Sequence, residues 1–362
     1  MLFSPRPLGR FNNQIDKPLV INLNTYNPRL LVQSIAKTLH TKTDTNYTEE
    51  VLTLPNKYGE GRILGFNFSD GVGLLLFDCT FKETVTIIFE TPLLSSLLFN
   101  FISTGCVSHI SNHENNHFTL SPLQGTISAN PIDSPEAFVF PAKESVVYSC
   151  ITVDRQSFQQ KITDGMEKMP DKVKSVFLDI ATEKSFFFQT TYSMASSIHL
   201  QSIINNEHLD LAGSIYLEGI TLELLSSLVK QFKNSASLSS PKRTILSNED
   251  IKKVLAAKDI LLENMQKPLT VEELSKEVGI NQTKLKIGFK NIFDTPIKTW
   301  LRNKKLEIAQ LLLLKDQENI KEISERVGYL NQSHFSKQFK NRYGVLPKDY
   351  LKQIKKARTF DF

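Results

Sequence analysis

The chain repeats itself near its end, at an interval of about fifty residues. Thr270-Val-Glu-Glu-Leu-Ser-Lys-Glu-Val-Gly-Ile aligns with Asn319-Ile-Lys-Glu-Ile-Ser-Glu-Arg-Val-Gly-Tyr. After one extra residue in the second copy, Gln282-Thr-Lys-Leu-Lys-Ile-Gly-Phe-Lys-Asn-Ile-Phe-Asp aligns with Gln332-Ser-His-Phe-Ser-Lys-Gln-Phe-Lys-Asn-Arg-Tyr-Gly. Each copy opens on a capping box, Thr270 or Asn319 facing Glu273 or Glu322 three residues on. A short helix follows, whose buried face is expected to be Val271, Leu274 and Val278, or Ile320, Ile323 and Val327. Gly279 and Gly328 then fall where the chain must reverse with positive φ. A second helix buries Leu285 and Phe289, or Phe335 and Phe339, four residues apart. The spacing therefore predicts two helix-turn-helix units, at about 270–291 and 319–341.

That buried pair turns the side chains between it outward, and they are mostly polar. In the first copy they are Gln282, Thr283, Lys286, Ile287 and Lys290; in the second, Gln332, Ser333, His334, Ser336, Lys337 and Lys340. Amides, hydroxyls and ammonium groups on one helix suit a DNA major groove, where Gln pairs with adenine, Lys with guanine, and Ser or Thr with several acceptors. Lysines near the helix ends are expected on phosphates, which position without reading sequence. Each residue alone also fits a solvated helix face, and His334 fits that better. Between the copies, Pro296–Leu314 carries Ile297, Leu301, Leu306, Ala309, Leu312 and Leu313 near one face and reads as a helical strut, with Trp300 and Tyr350 as matching core aromatics.

Charge supports a polyanionic partner for this part alone. The chain carries a net +5, but residues 241–362 hold 25 Lys and Arg against 15 Asp and Glu, +10, and residues 1–240 hold 18 against 23, −5. Clustered cations are what phosphate neutralisation needs.

Upstream the pattern is different. Short apolar stretches at Arg62–Phe68, Gly73–Asp78, Thr84–Glu90, Leu97–Ser103, Phe118–Leu120, Gly125–Ala129, Ala137–Phe140 and Ser145–Val153 are separated by turn signals such as Ser69-Asp70-Gly71, Asn130-Pro131 and Asp133-Ser134-Pro135. They predict an antiparallel barrel of the cupin type. From about Asp171 helical periodicity takes over, clearest in Leu211–Phe232, where Ile215, Ile220, Leu224, Leu225, Leu228 and Phe232 form a stripe for core packing or dimerisation. The expected fold is α+β and multidomain: an N-terminal extension (1–29), a cupin-like sensor barrel (30–165), a helical packing region (166–235), a linker (236–247) heralded by the loss of apolar periodicity over Lys233–Ser240, and an all-α tandem helix-turn-helix domain (248–356).

The second copy, Ile320-Lys-Glu-Ile-Ser-Glu-Arg-Val-Gly-Tyr and then Ser333-His-Phe-Ser-Lys-Gln-Phe-Lys-Asn-Arg-Tyr-Gly-Val-Leu-Pro-Lys-Asp-Tyr, closely resembles the signature of the AraC/XylS family of transcription regulators, and the resemblance extends from about Asn248 to Lys356. By position it implies base contacts from Thr283, Lys286 and Ile287 in the first recognition helix and from Gln332, Ser333 and Lys337 in the second. Ile287 departs from the basic residue common there, Asp294 stands where Gly is usual, and Lys305 stands where the strut has Arg, with a bidentate contact at stake. Ile215-Tyr-Leu-Glu-Gly-Ile-Thr-Leu-Glu-Leu-Leu is similar to members that sense siderophores. The resemblance thus implies promoter DNA as partner, a small effector in the first domain, activation through RNA polymerase, and a homodimer.

Competing chemistry has little support. His109, His113 and His117, with Glu114 among them, recur every four residues, but their surroundings read as strand, polar turn and strand, where three rings need not converge, so no metal or other cofactor is assigned. The His-x-His then Glu pattern of metal-dependent cupin enzymes is missing, as are a Walker loop, a Gly-x-Ser-x-Gly elbow and HExxH. Cys79, Cys106 and Cys150 read as buried thiols and not as a disulfide or zinc framework. Without a signal-peptide pattern or an apolar run expected to span a bilayer, the chain is expected in the cytoplasm. Phe66, Phe68, Phe77, Phe89, Phe138 and Phe140 supply candidates for a small-molecule pocket in the barrel. The alternatives to a sensing regulator are a regulator with a merely oligomeric first domain, a metal-dependent barrel enzyme fused to a DNA reader, and an architectural binder without sequence preference.

Overall fold

Alternating apolar residues on strands that must bury one face leave two sheets only one arrangement, face to face. The computed structural model describes residues 19–46, 49–90, 96–111, 116–131, 134–181, 184–206, 210–236, 246–315 and 319–358. Contacts divide the chain into two units, 1–190 with 196–241 and 191–195 with 242–362.

In the first unit, β1 (Leu19–Leu23), β6 (Val85–Phe89), β11 (Glu136–Phe140), β8 (Val107–Ser111) and β9 (Asn116–Leu120) form one sheet in that order. The other runs β13 (Phe186–Thr191), β10 (Gln124–Ala129), β7 (Ser96–Thr104), β12 (Ser145–Asp154), β5 (Val72–Phe81), β4 (Gly59–Asn67), β3 (Glu49–Thr53) and β2 (Asp44–Asn46). Ile21, Val85, Ile87 and Phe138 of the first sheet meet Leu75, Phe77, Leu98, Ile102, Val146 and Tyr148 of the second in one buried core. This is the cupin-like β-sandwich that the short strands predict, and all eight predicted stretches lie on observed strands. Phe77, Phe138 and Phe140 surround Tyr148 in that core, with ring centroids 5.7–5.8 Å from it. Phe66 and Phe68 instead stack on each other, 6.1 Å apart, outside the core cluster.

Four features depart from the sequence reading. Leu19–Leu23, within the supposed extension, is a strand paired in parallel with β6, Leu19 opposite Val85. Pro28–Thr38 is a helix (α1) in the region read as strands. Asn27 accepts from the Leu30 amide, Pro28 opens the first turn, and Leu31, Val32, Ile35 and Ala36 make the buried face. Phe186–Thr191 is a strand inside the region read as helical. Cys79 and Cys150 are buried and burial pushes both thiols up to about 12, whereas Cys106 is only half-buried.

The helices of this part are α2 (Arg155–Met166), α3 (Asp171–Phe177), α4 (Met194–Ile204) and α5 (Leu211–Ala236). Ile220, Leu224, Leu225, Leu228 and Phe232 of α5 are buried as its periodicity predicts, but Ile215 is 63% exposed. By length and composition alone, α5 is the one helix among the described residues long and apolar enough to cross a membrane, a test that a buried core helix also passes.

The second unit holds α6 (Asn248–Glu263), α7 (Val271–Glu277), α8 (Gln282–Phe293), α9 (Ile297–Lys315), α10 (Ile320–Arg326), α11 (Gln332–Tyr343) and α12 (Pro347–Arg358). Each helix-turn-helix has its own core, and α9 contributes to both. Trp300 packs on Phe289 and Phe293, each 5.4 Å away. Leu306, Ala309 and Leu313 join Ile323, Val327, Phe335 and Phe339, against which Tyr350 packs.

Candidate nucleic-acid interface

Each recognition helix is started by a side chain and stopped by a left-handed residue. Asn281 accepts from the Lys284 amide to open α8, and Asn331 accepts from the amides of Ser333 and His334 to open α11. Asp294 (φ 56°) and Gly344 (φ 80°) end them. Asp294 thus takes the left-handed conformation itself, as a short polar side chain can. The preceding helices carry the predicted capping boxes, Thr270 with Glu273 and Asn319 with Glu322. Of their predicted apolar faces, Leu274, Ile323 and Val327 are buried, while Val271, Val278 and Ile320 are half-buried.

Leu285 and Phe289, and equally Phe335 and Phe339, are fully buried and fix which way each second helix faces. On α8 this leaves Gln282, Thr283, Lys286 and Lys290 exposed, with Ile287 half-buried beside them. On α11 it leaves Gln332, Ser333, His334, Lys337 and Lys340 exposed, with Ser336 half-buried. The two copies therefore present equivalent outer faces, the second more polar than the first. The His334 ring lies 5.7 Å from Tyr329, and its Nε2 is 3.4 Å from the Gln338 amide nitrogen.

Several cations that look available in the sequence are tied down. Lys284 donates to Asp250 of α6 at 2.8 Å, and Arg342 to Glu307 of α9 at 2.7 Å. Burial alone would raise the Asp250 carboxyl, but the bonds from Lys284 and Ser247 outweigh it and hold its pKa below the ordinary value. Lys305, which stands where Arg is usual, is turned inward. It is 9% exposed, its Nζ donates to the Gly328 carbonyl at 2.9 Å, and it lies 5.6 Å from the centre of the Tyr329 ring. Burial lowers its pKa. The strut lysine thus holds the turn of the second copy from beneath. Its signal in the sequence was the apolar spacing of α9, which places position 305 beside Leu301 and Leu306 on the buried side.

The two described histidines of the triple pattern do not gather. His109 is buried and bonded to Glu136 at 2.9 Å, His117 is exposed on the neighbouring strand opposite Ile110, and His113 lies outside the described residues. Among the described residues no three His, Cys, Asp or Glu side chains are grouped as a metal would need.

Two family models match. One, a helix-turn-helix domain, covers residues 274–353; the other, the N-terminal domain of regulatory protein PchR, covers residues 60–244, more than half of the chain. The chain is 34% identical over 121 residues to the HTH-type transcriptional regulator AlkR of Acinetobacter baylyi, covering 33% of this chain and 38% of AlkR. It is 32% identical over 106 residues to regulatory protein PchR of Pseudomonas aeruginosa, covering 29% and 35%. The alignments thus span about a third of the length of these relatives. Among solved structures, apo ToxT from Vibrio cholerae aligns over 78% of this chain and 97% of that one at 13% identity, with a TM-score of 0.32. With a PchR-type domain ahead of two like-built helix-turn-helix units, the chain belongs to the AraC/XylS family of transcription regulators.

Proposed function

We propose that the chain binds promoter DNA in a sequence-specific way through α8 and α11, and that a small molecule bound by its first unit controls this. The observation that carries the reading is the pair of equivalent outer faces on α8 and α11, set on twin cores joined by one helix. Gln282, Thr283, Lys286 and Ile287 of one helix, and Gln332, Ser333 and Lys337 of the other, are the base-edge set; Lys290 and Lys340, toward the helix ends, meet phosphates. The 19 residues of α9 span about 28 Å, which lets one chain address successive turns of a duplex. Activation, through contact with RNA polymerase, is the mode assigned. The exposed Ile198, Leu211, Ile215 and Tyr216 of α4 and α5 offer a surface to a second copy. A cytoplasmic place in the cell goes with this role.

The test is competition on the full chain. DNA selected from random sequence by the protein should outcompete random duplex by roughly a thousandfold or more. Equal competition by random duplex would make it an architectural binder.

A further inference from the structure

The two sheets of the first unit meet along one side at their edges, β9 and β13. There the contact is a ring stack, Phe118 on Phe187, with centroids 4.1 Å apart and planes within 15°, and both rings are half-buried. Behind it lies a polar floor inside an apolar core. His109 sits opposite Phe118 and Phe138 in the strand register, is stacked on Phe138 at 4.5 Å, and is 6.0 Å from Phe187. Its Nε2 is 2.9 Å from Glu136, whose other oxygen accepts from the Tyr26 hydroxyl at 3.1 Å. His109 and Glu136 are 1% and 2% exposed.

A carboxylate only accepts, so Nε2 is the donor in that bond. Among the described residues the buried Nδ1 has no partner. A buried polar nitrogen without a partner is a cost to the fold unless something fills it.

Resting on the reading of this unit as a sensor, we propose that the β9–β13 seam is the effector site, that the effector parts Phe118 from Phe187, and that it is a planar aromatic molecule, neutral or cationic, that donates a hydrogen bond to His109 Nδ1. Stacked rings favour a flat π-system. The acceptor and the buried Glu136 carboxylate disfavour an anion. The seam also has a way to report. Phe187 faces it, while Phe186 and Phe188, its neighbours on β13, pack on Phe232 of α5 at 5.0 and 4.9 Å. A displaced β13 therefore acts on the last turns of α5, the helix that ends at Ala236, ahead of α6 in the chain.

Calorimetry on the full chain tests this with four probes. 4-Methylphenol and indole should bind saturably, and benzoate (an anion) and cyclohexanol (no π-system) at least about tenfold more weakly. His109→Gln, which can still donate to Glu136, should lose about tenfold for the first two, as should Phe187→Ala at the half-exposed rim, which keeps the fold testable if the buried variant fails. Benzoate binding as well as the phenol, affinities unmoved by both variants, or no binding of any probe each overturn the proposal. Operator binding is measured in parallel with a cellular small-molecule fraction. If that fraction changes DNA affinity equally in wild type and both variants, the seam is wrong and the sensor reading stands; if it changes nothing, the sensor reading falls too.

Discussion

Gly279 and Gly328 occupy matching positions in the two repeats and both have positive φ, 66° and 77°. Their surroundings differ. A Cβ at Gly279 meets nothing within 4 Å, while at Gly328 it would come within 2.7 Å of the Gln266 Cα, 2.8 Å of the Met265 carbonyl and 2.9 Å of the Lys305 amine. Gly279→Ala is expected to cost about 1 kcal/mol, from backbone conformation alone. Gly328→Ala adds overpacking against backbone that cannot yield and is expected to cost about 2–4 kcal/mol. Denaturant midpoints of the two variants, compared under one set of conditions, check the order. Equal costs would mean that the second turn does not sit on the loop after α6 as described.

Elements matter through what they hold outward. The outer face of α11 is polar at every exposed position, whereas α8 gives up one to the half-buried Ile287. Discrimination should therefore reside mainly in the second helix. Lys337→Ala and Gln332→Ala are each expected to weaken operator binding by about 1–3 kcal/mol and to change random-duplex binding little. Lys286→Ala should cost less on the operator. Filter binding on both duplexes decides this, and equal losses on both would reassign Lys337 and Gln332 to the sugar-phosphate backbone.

These helices were legible in the sequence because their causes are local: a cap, a glycine and two apolar residues four apart lie within one short window. The strands with alternating residues were legible for the same reason. Helix α1 could have been read as well, since Asn27-Pro28 and the spacing of Leu31, Val32, Ile35 and Ala36 are start and face signals together. By contrast, the parallel pairing of β1 with β6 joins residues far apart in the chain, and the Glu136 bonded to His109 is 27 residues away. Nothing near either partner announces the other. Strand β13 carries three successive phenylalanines because both of its faces are covered, Phe187 on one side and Phe186 and Phe188 on the other, so it lacks the alternation that marks a half-exposed strand. Lys305 is buried despite its charge: a long side chain can run its methylenes through a core and spend its ammonium on a carbonyl.

At the scale of the molecule, charge is divided as sharply as fold, with +10 on residues 241–362 and −5 on residues 1–240. If six to ten phosphates are engaged, the full chain should show a log–log slope of operator affinity against salt of about −5 to −9. Lys340→Ala should make that slope shallower by about one, with the preference among sequences intact. Titrations between low and physiological salt measure both quantities, and a flat salt response would remove phosphate contact from the account.

The shared helix α9 has a consequence for how such a regulator changes over generations. Because Trp300 serves one core and Leu306, Ala309 and Leu313 serve the other, the two readers are folded parts of one tethered pair. On the proposed reading, while one half stays on DNA, the other is held near its own stretch at high local concentration. A substitution on the outer face of α11 or α8 then loosens half of the address and leaves the rest in place, so the chain can drift toward a new operator one half at a time without passing through a form that has no hold on DNA.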